Sequence, residues 1–168
     1  MELTRNGRAV TDLIAKHCAP HINIRTHFFN YFAPDFSNLA EQKRTCFITH
    51  HSIEQVPQLG RELFDRILSV PGFHRCVHLE PCGFQMPGNS WLRPGYFFER
   101  PFNARRMRRI EADNRRFSEK RGQNMNLYPL LHDLEKDGKI LIHQARKNFT
   151  SHLLSNATSL IVWGPARR

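Results

Sequence analysis

No apolar run in this chain is long enough to cross a bilayer. Runs such as Ile140 to Ile142 and Leu160 to Trp163 fall far short of the ~20 residues that a spanning helix needs. The opening Met1-Glu2-Leu3-Thr4-Arg5 lacks the apolar centre of a secretory signal. These absences predict a soluble, cytoplasmic protein with no membrane partner, whose four cysteines (Cys18, Cys46, Cys76, Cys82) stay reduced. Glycine is sparse where phosphate chemistry would want it. Gly83, Gly88 and Gly95 stand alone, so no Gly-rich phosphate loop can form. There is no Cys-x-x-Cys pair, and Ser151 and His152 are adjacent, which prevents a nucleophile–base hydrogen bond between them.

Acidic residues are also in short supply. Fifteen Asp and Glu face 25 Lys and Arg across 168 residues, for a net charge of +10 and an isoelectric point near 10.1. Arginine dominates the surplus, and its planar fork matches phosphate better than the point charge of lysine does. Such a balance is the electrostatic footprint of a nucleic-acid binder, for DNA or RNA, and a basic surface also suits an acidic protein partner. The 40% hydrophobic content and 13 Phe supply enough core for one domain without disulfides or metal.

The pattern along the chain predicts an α/β protein of the α+β type. Residues 1–40 read as a helical N-terminal cap, with Val10, Leu13 and Ile14 on one face and an aromatic group at Phe28, Phe29, Tyr31 and Phe32. Residues 41–168 read as the core domain. Strands are expected at 45–49, 73–79, 91–98, 139–143 and 159–163. Ser52 and Gln55 spell a capping box ahead of an apolar helical run from Val56 to Leu68. Further helices are expected at 103–121, 127–136 and 145–155. The first six elements of the core follow the order of a ferredoxin-like fold, an antiparallel sheet with helices on one face.

The charge is concentrated. Between residues 93 and 121, ten basic side chains (Arg93, Arg100, Arg105, Arg106, Arg108, Arg109, Arg115, Arg116, Lys120, Arg121) face four acids. Within the helix, Ala104, Met107, Ile110 and Phe117 form a narrow apolar stripe that predicts docking on the sheet, with arginines flanking it in water. Like charges at i,i+4, such as Arg105 and Arg109, repel one another until a polyanion neutralises them. The segment Arg93 to Phe102 alternates basic, glycine and aromatic positions. It resembles in part the longer signature of an RNA-recognition motif, from which Pro94 and Pro101 depart, and the resemblance implies that Tyr96 stacks on a base.

A metal site and one catalytic reading stand beside simple binding, with a strand of buried thiols as the plainer account of the same residues. His74, Cys76 and His78 alternate along one strand, and with Cys46, His50 and Cys82 they provide N and S ligands of the kind that zinc or another divalent metal takes. The same strand, with Tyr128 as nucleophile and His78 as ligand or base, fits a metal-dependent nuclease of the nicking type. The expectation that leads is a nucleic-acid-binding protein that contacts phosphates through the Arg-rich helix.

Overall fold

A computed structural model describes residues 5–18, 20–87, 102–147 and 158–166, with the side chains of residues 5, 102–108 and 110 excepted. Four α-helices and four strands are present among them: α1 (Arg5–Cys18), β1 (Thr45–His50), α2 (Arg61–Leu68), β2 (Phe73–Glu80), α3 (Phe102–Lys120), α4 (Leu127–Lys136), β3 (Ile140–Arg146) and β4 (Ser159–Pro165). The class is α+β with a helical N-terminal segment.

The sheet is mixed, with strand order β1-β2-β4-β3. β1 and β2 pair in parallel, Phe47 opposite Cys76 and Thr49 opposite His78. β4 runs antiparallel to β2 on one side and to β3 on the other. A ferredoxin-like order would place a strand between β1 and β2. Here α2 carries the chain back so that they are direct neighbours, and β4 occupies the place beside β2. The strand expected at 91–98 lies outside the described residues. Of the helix expected at 145–155, Ala145 and Arg146 belong to β3, held by pairing to Ile161 and Leu160, and residues 148–155 lie outside the described set.

Alternation sorts the strands into an inner and an outer face. Cys76, His78 and Glu80 of β2, and Ile161 and Trp163 of β4, turn inward. They meet Leu63, Phe64 and Ile67 of α2 and Leu127, Leu131 and Leu134 of α4 in one core cluster. Both helices therefore cover the same face. Leu63, Phe64 and Ile67 sit at the three- and four-residue spacing that gives a helix one apolar side. A chain of rings, Phe29, Phe36, Phe47, Phe73 and Trp163, crosses the core at centroid spacings of 5.0 to 5.8 Å. Phe29 and Tyr31 of the N-terminal aromatic group are thus packed, whereas Phe28 and Phe32 are exposed. Val10, Leu13 and Ile14 do share one face of α1, but that face is exposed instead of docked.

The helix expected to begin at Ser52 begins at Arg61 instead. Val56 precedes Pro57, and the proline ring drives it to an extended conformation, φ −106° and ψ 106°. A helix cannot run through that point, so Ile53–Gln55 closes as a single 3-10 turn. The Ser52 hydroxyl makes no cap bond and pairs with the Tyr31 hydroxyl at 2.8 Å. Two asparagines tie the 56–59 loop to the start of α4. Asn124 Nδ2 donates to the Val56 carbonyl (2.9 Å), and Asn126 Oδ1 accepts from the Leu59 amide (2.9 Å). Gly72 turns the chain into β2 at φ +68°, with the Lys43 carbonyl carbon 2.6 Å from where a Cβ would stand, so no other residue fits there without moving backbone.

Candidate nucleic-acid interface and the buried histidine strand

Among the described side chains of α3, polar residues anchor the helix; Ala104, Met107 and Ile110 of the expected apolar stripe have side chains outside the described set. Ser118 is buried, with its hydroxyl on Gln123, and Glu111 and Asn114 are half-buried at positions i−7 and i−4 from it. Glu111 pairs with the buried ammonium of Lys147 at 2.5 Å. Arg115 donates to the Phe84 carbonyl at 3.3 Å, fastening α3 to the 3-10 turn Gly83–Gln85. Phe117, expected in the core, is 52% exposed, because it lies off the line defined by Glu111, Asn114 and Ser118. Its ring is covered on one side by the Arg121 guanidinium, 4.3 Å from the centroid.

Arg109, Arg116 and Lys120 are exposed. Their spacing of seven and four residues puts them on one line along the helix, directly opposite the buried line. The line is about 16 Å long at 1.5 Å per residue. Among the described residues no carboxylate pairs with any of the three, in contrast to Arg61, Arg66, Lys136, Lys139 and Lys147, which all have acidic partners. Arg105, Arg106 and Arg108 lie on α3 with their side chains outside the described residues, and Arg93, Tyr96 and Arg100 lie outside them altogether.

Alternation keeps the expected ligands of β1 and β2 apart. Cys46 and His50 of β1 are on the outer face, where Ile48 is 70% exposed, whereas Cys76 and His78 of β2 face the core. His74 is fixed by Arg44, whose Nη2 donates to its Nε2 at 2.8 Å. Among the described residues no three His, Cys, Asp or Glu side chains come together in a way that could hold a metal ion.

His78 is instead a neutral core residue. The Trp163 indole N–H donates to His78 Nε2 at 2.9 Å, so the ring proton belongs on Nδ1, which donates to Thr49 Oγ1 at 2.9 Å. Burial pushes its pKa down to about 3. Burial likewise raises the Cys76 thiol and pushes Cys82 up to about 12, which leaves both as inert thiols. Tyr128 does not join His78. Its ring stacks on His132 at 6.1 Å, and desolvation raises its pKa, which disfavours the phenolate of a nucleophile.

A pH dependence of stability follows. The folded pKa of His78 lies below the ordinary ~6.5, so between those values the unfolded chain binds a proton that the folded chain refuses. Stability is full above about pH 6.5 and falls on acidification, by up to ~1.4 kcal/mol per pH unit from this one group. Urea unfolding at pH 7 and pH 5 should show that loss, and His78→Asn should flatten it by about one proton. Equal slopes in the parent and the variant would contradict the assignment.

The sequence alone gives no role to Glu80, one alternation beyond His78 on the same inner face. It is 1% exposed. Oε1 accepts from the amides of Ser52 and Ile53, both at 3.3 Å, and Oε2 from that of Glu54 at 3.4 Å. One carboxylate thus holds the turn that follows β1. Burial raises its pKa, and the amide donors pull the other way. Beside it, Ile53, Glu54, Cys82, Gln85, Asn124 and Leu127 help line a cavity of about 10 Å³. That is room for one water at most and far below the ~300 Å³ of a small-molecule pocket.

No family model matches the chain, and no significant match appears among curated proteins or solved structures. No helix among the described residues is long and apolar enough to cross a membrane.

Proposed function

We propose that the protein binds nucleic acid through the outward face of α3, with Arg109, Arg116 and Lys120 contacting successive phosphates. The observation that carries this reading is the line of three exposed cations without acidic partners among the described residues, opposite the side by which the helix is anchored. In a chain of net charge +10, unpaired cations on a regular helix repel one another and gain most from a polyanion that releases its counterions on binding. Phosphate contacts of this kind position the strand without reading its sequence.

Phe117 refines the reading. An exposed ring beside the cationic line, with Arg121 on its other side, offers a platform on which an unpaired base can stack. A duplex keeps its bases inside, so single strands are the preferred partner. Stacking of this kind contributes about 1–3 kcal/mol per base.

Fluorescence anisotropy with single-stranded and duplex DNA and RNA tests the proposal. Single strands are expected to bind more tightly than duplexes. Phe117→Ala should weaken single-strand binding roughly 5- to 150-fold while leaving the salt dependence unchanged, since no phosphate contact is lost. Absence of binding to all four at low salt would overturn the reading.

A further inference from the structure

The parallel strands β1 and β2 end side by side, and β4 starts against the end of β2, Ser159 opposite Glu80. The residue after β1 and the residue before β4 therefore flank the same strand end. They are His51 and Thr158, and they are bonded: Thr158 Oγ1 lies 2.7 Å from His51 Nε2. The other ring nitrogen, Nδ1, faces Glu54 Oε1 at 3.6 Å. A hydroxyl, an imidazole and a carboxylate are thus aligned in the order that activates a hydroxyl nucleophile.

Three further features set this group apart from ordinary surface pairing. His51 is the one non-glycine residue with positive φ (+50°) among the described residues, a conformation that costs free energy wherever it occurs. It brings the imidazole over that of His50, with centroids 4.8 Å apart, where extended strand residues would point to opposite sides. Glu54 is held at both ends of its backbone, its amide on Glu80 (3.4 Å) and its carbonyl accepting from the Asn124 amide (3.0 Å). Glu54 Oε1, which faces His51, also accepts from Gln55 Nε2 at 3.0 Å, while Oε2 is buried without a hydrogen-bond partner among the described residues, so part of the carboxylate's charge remains to be met by His51.

We propose that Thr158, His51 and Glu54 form a nucleophile–base–carboxylate triad that transfers a nucleic-acid phosphodiester onto Thr158. The substrate class rests on the binding role assigned to α3. That helix ends at Lys120, Arg121 follows it, and the chain reaches Asn124, the residue bonded to Glu54, three residues after Arg121. A strand lying along α3 is led to this end of the sheet. Thr158 is 5% exposed, and His51 keeps 27% of its side chain open, so substrate meets the site over the imidazole.

In the step, Thr158 Oγ1 attacks phosphorus while its proton passes to His51 Nε2. The phosphorus–oxygen bond to one side of the strand breaks, and that oxygen takes the proton from Nε2 to leave as a free hydroxyl. The other part of the strand stays esterified to Thr158 until water or a strand hydroxyl reverses the attack. Nothing is oxidised or reduced. Glu54 is a positioning residue: it keeps the proton on Nδ1 before the step and balances the imidazolium during it.

The test uses the full chain with end-labelled, random-sequence single-stranded DNA and RNA. A denaturation-stable protein–oligonucleotide adduct is expected, mapped to Thr158 by mass spectrometry, with a free hydroxyl on the released fragment. Thr158→Val keeps the shape and removes the hydroxyl, and His51→Asn keeps a residue that tolerates positive φ. Both should retain binding and lose the adduct by roughly a thousandfold or more. Glu54→Gln should slow adduct formation and shift its pH profile without changing the melting temperature. Binding by the parent with no adduct overturns this proposal and leaves the α3 reading standing. Absence of binding removes both. Cleavage that survives in Thr158→Val overturns the assignment of the nucleophile.

Discussion

Glu80→Ala is expected to destabilise the fold by about 3 kcal/mol, one of the largest losses available from a single polar side chain. The carboxylate accepts from the three successive amides of Ser52, Ile53 and Glu54. Each buried amide left without an acceptor costs about 1–3 kcal/mol, and relief of the carboxylate's own burial returns part of that sum. Glu80→Gln should cost less than the alanine change, because one oxygen still accepts while the new NH₂ faces donors. For a chain of this size about 3 kcal/mol corresponds to roughly 6–12 °C in melting temperature. Urea and thermal unfolding of the three proteins check the order parent, Gln, Ala. A loss below ~1 kcal/mol in the alanine variant would mean that the 3-10 turn after β1 is held by something other than this carboxylate.

The second large effect is on binding. Replacing Arg109, Arg116 and Lys120 together by alanine should weaken single-strand binding roughly 10²- to 10³-fold at low salt, because each lost contact retains its counterion. The helix should survive, since alanine has the higher helical propensity and the anchors Glu111–Lys147 and Arg115 to Phe84 are untouched. Removing the same amount of charge elsewhere is the control. Arg61, Arg66 and Lys136 already have Asp137, Glu62 and Asp133 as partners, so replacing these three by alanine should change affinity only a few-fold. Circular dichroism verifies that both variants are folded. Equal losses in the two variants would assign binding to overall charge instead of to this face.

How far the sequence discloses this molecule depends on the range of the interaction concerned. The bounds of α4 are those its apolar spacing predicts, and α3 and the described strands lie within a few residues of expectation, because periodicity and turn residues act locally. Strand order is a long-range matter. Nothing within β1 or β2 states that they pair in parallel, and the local pattern fitted a split arrangement equally well. The start of α2 departs from the pattern because Ser52 and Gln55 look like a cap while Pro57 forbids the helix that would follow. At the candidate interface the cationic positions were legible from composition, whereas the direction of the helix was not. Among its described side chains Glu111 and Ser118 anchor it through Lys147 and Gln123, and polar anchors leave no trace in the spacing of apolar residues. The His51, Glu54 and Thr158 arrangement spans most of the core domain in sequence and exists only because β2 lies between β1 and β4.

The central claim is that α3 meets phosphates with three specific cations, and the salt dependence of binding measures that number directly. The slope of log Kobs against log salt for single strands is about −0.7 per neutralised phosphate. The parent and the Arg109→Ala/Arg116→Ala/Lys120→Ala variant, titrated by anisotropy over the same salt range, should differ in slope by about 2 units. Identical slopes, with or without a change in affinity, would contradict the account and place the phosphate contacts elsewhere on the protein.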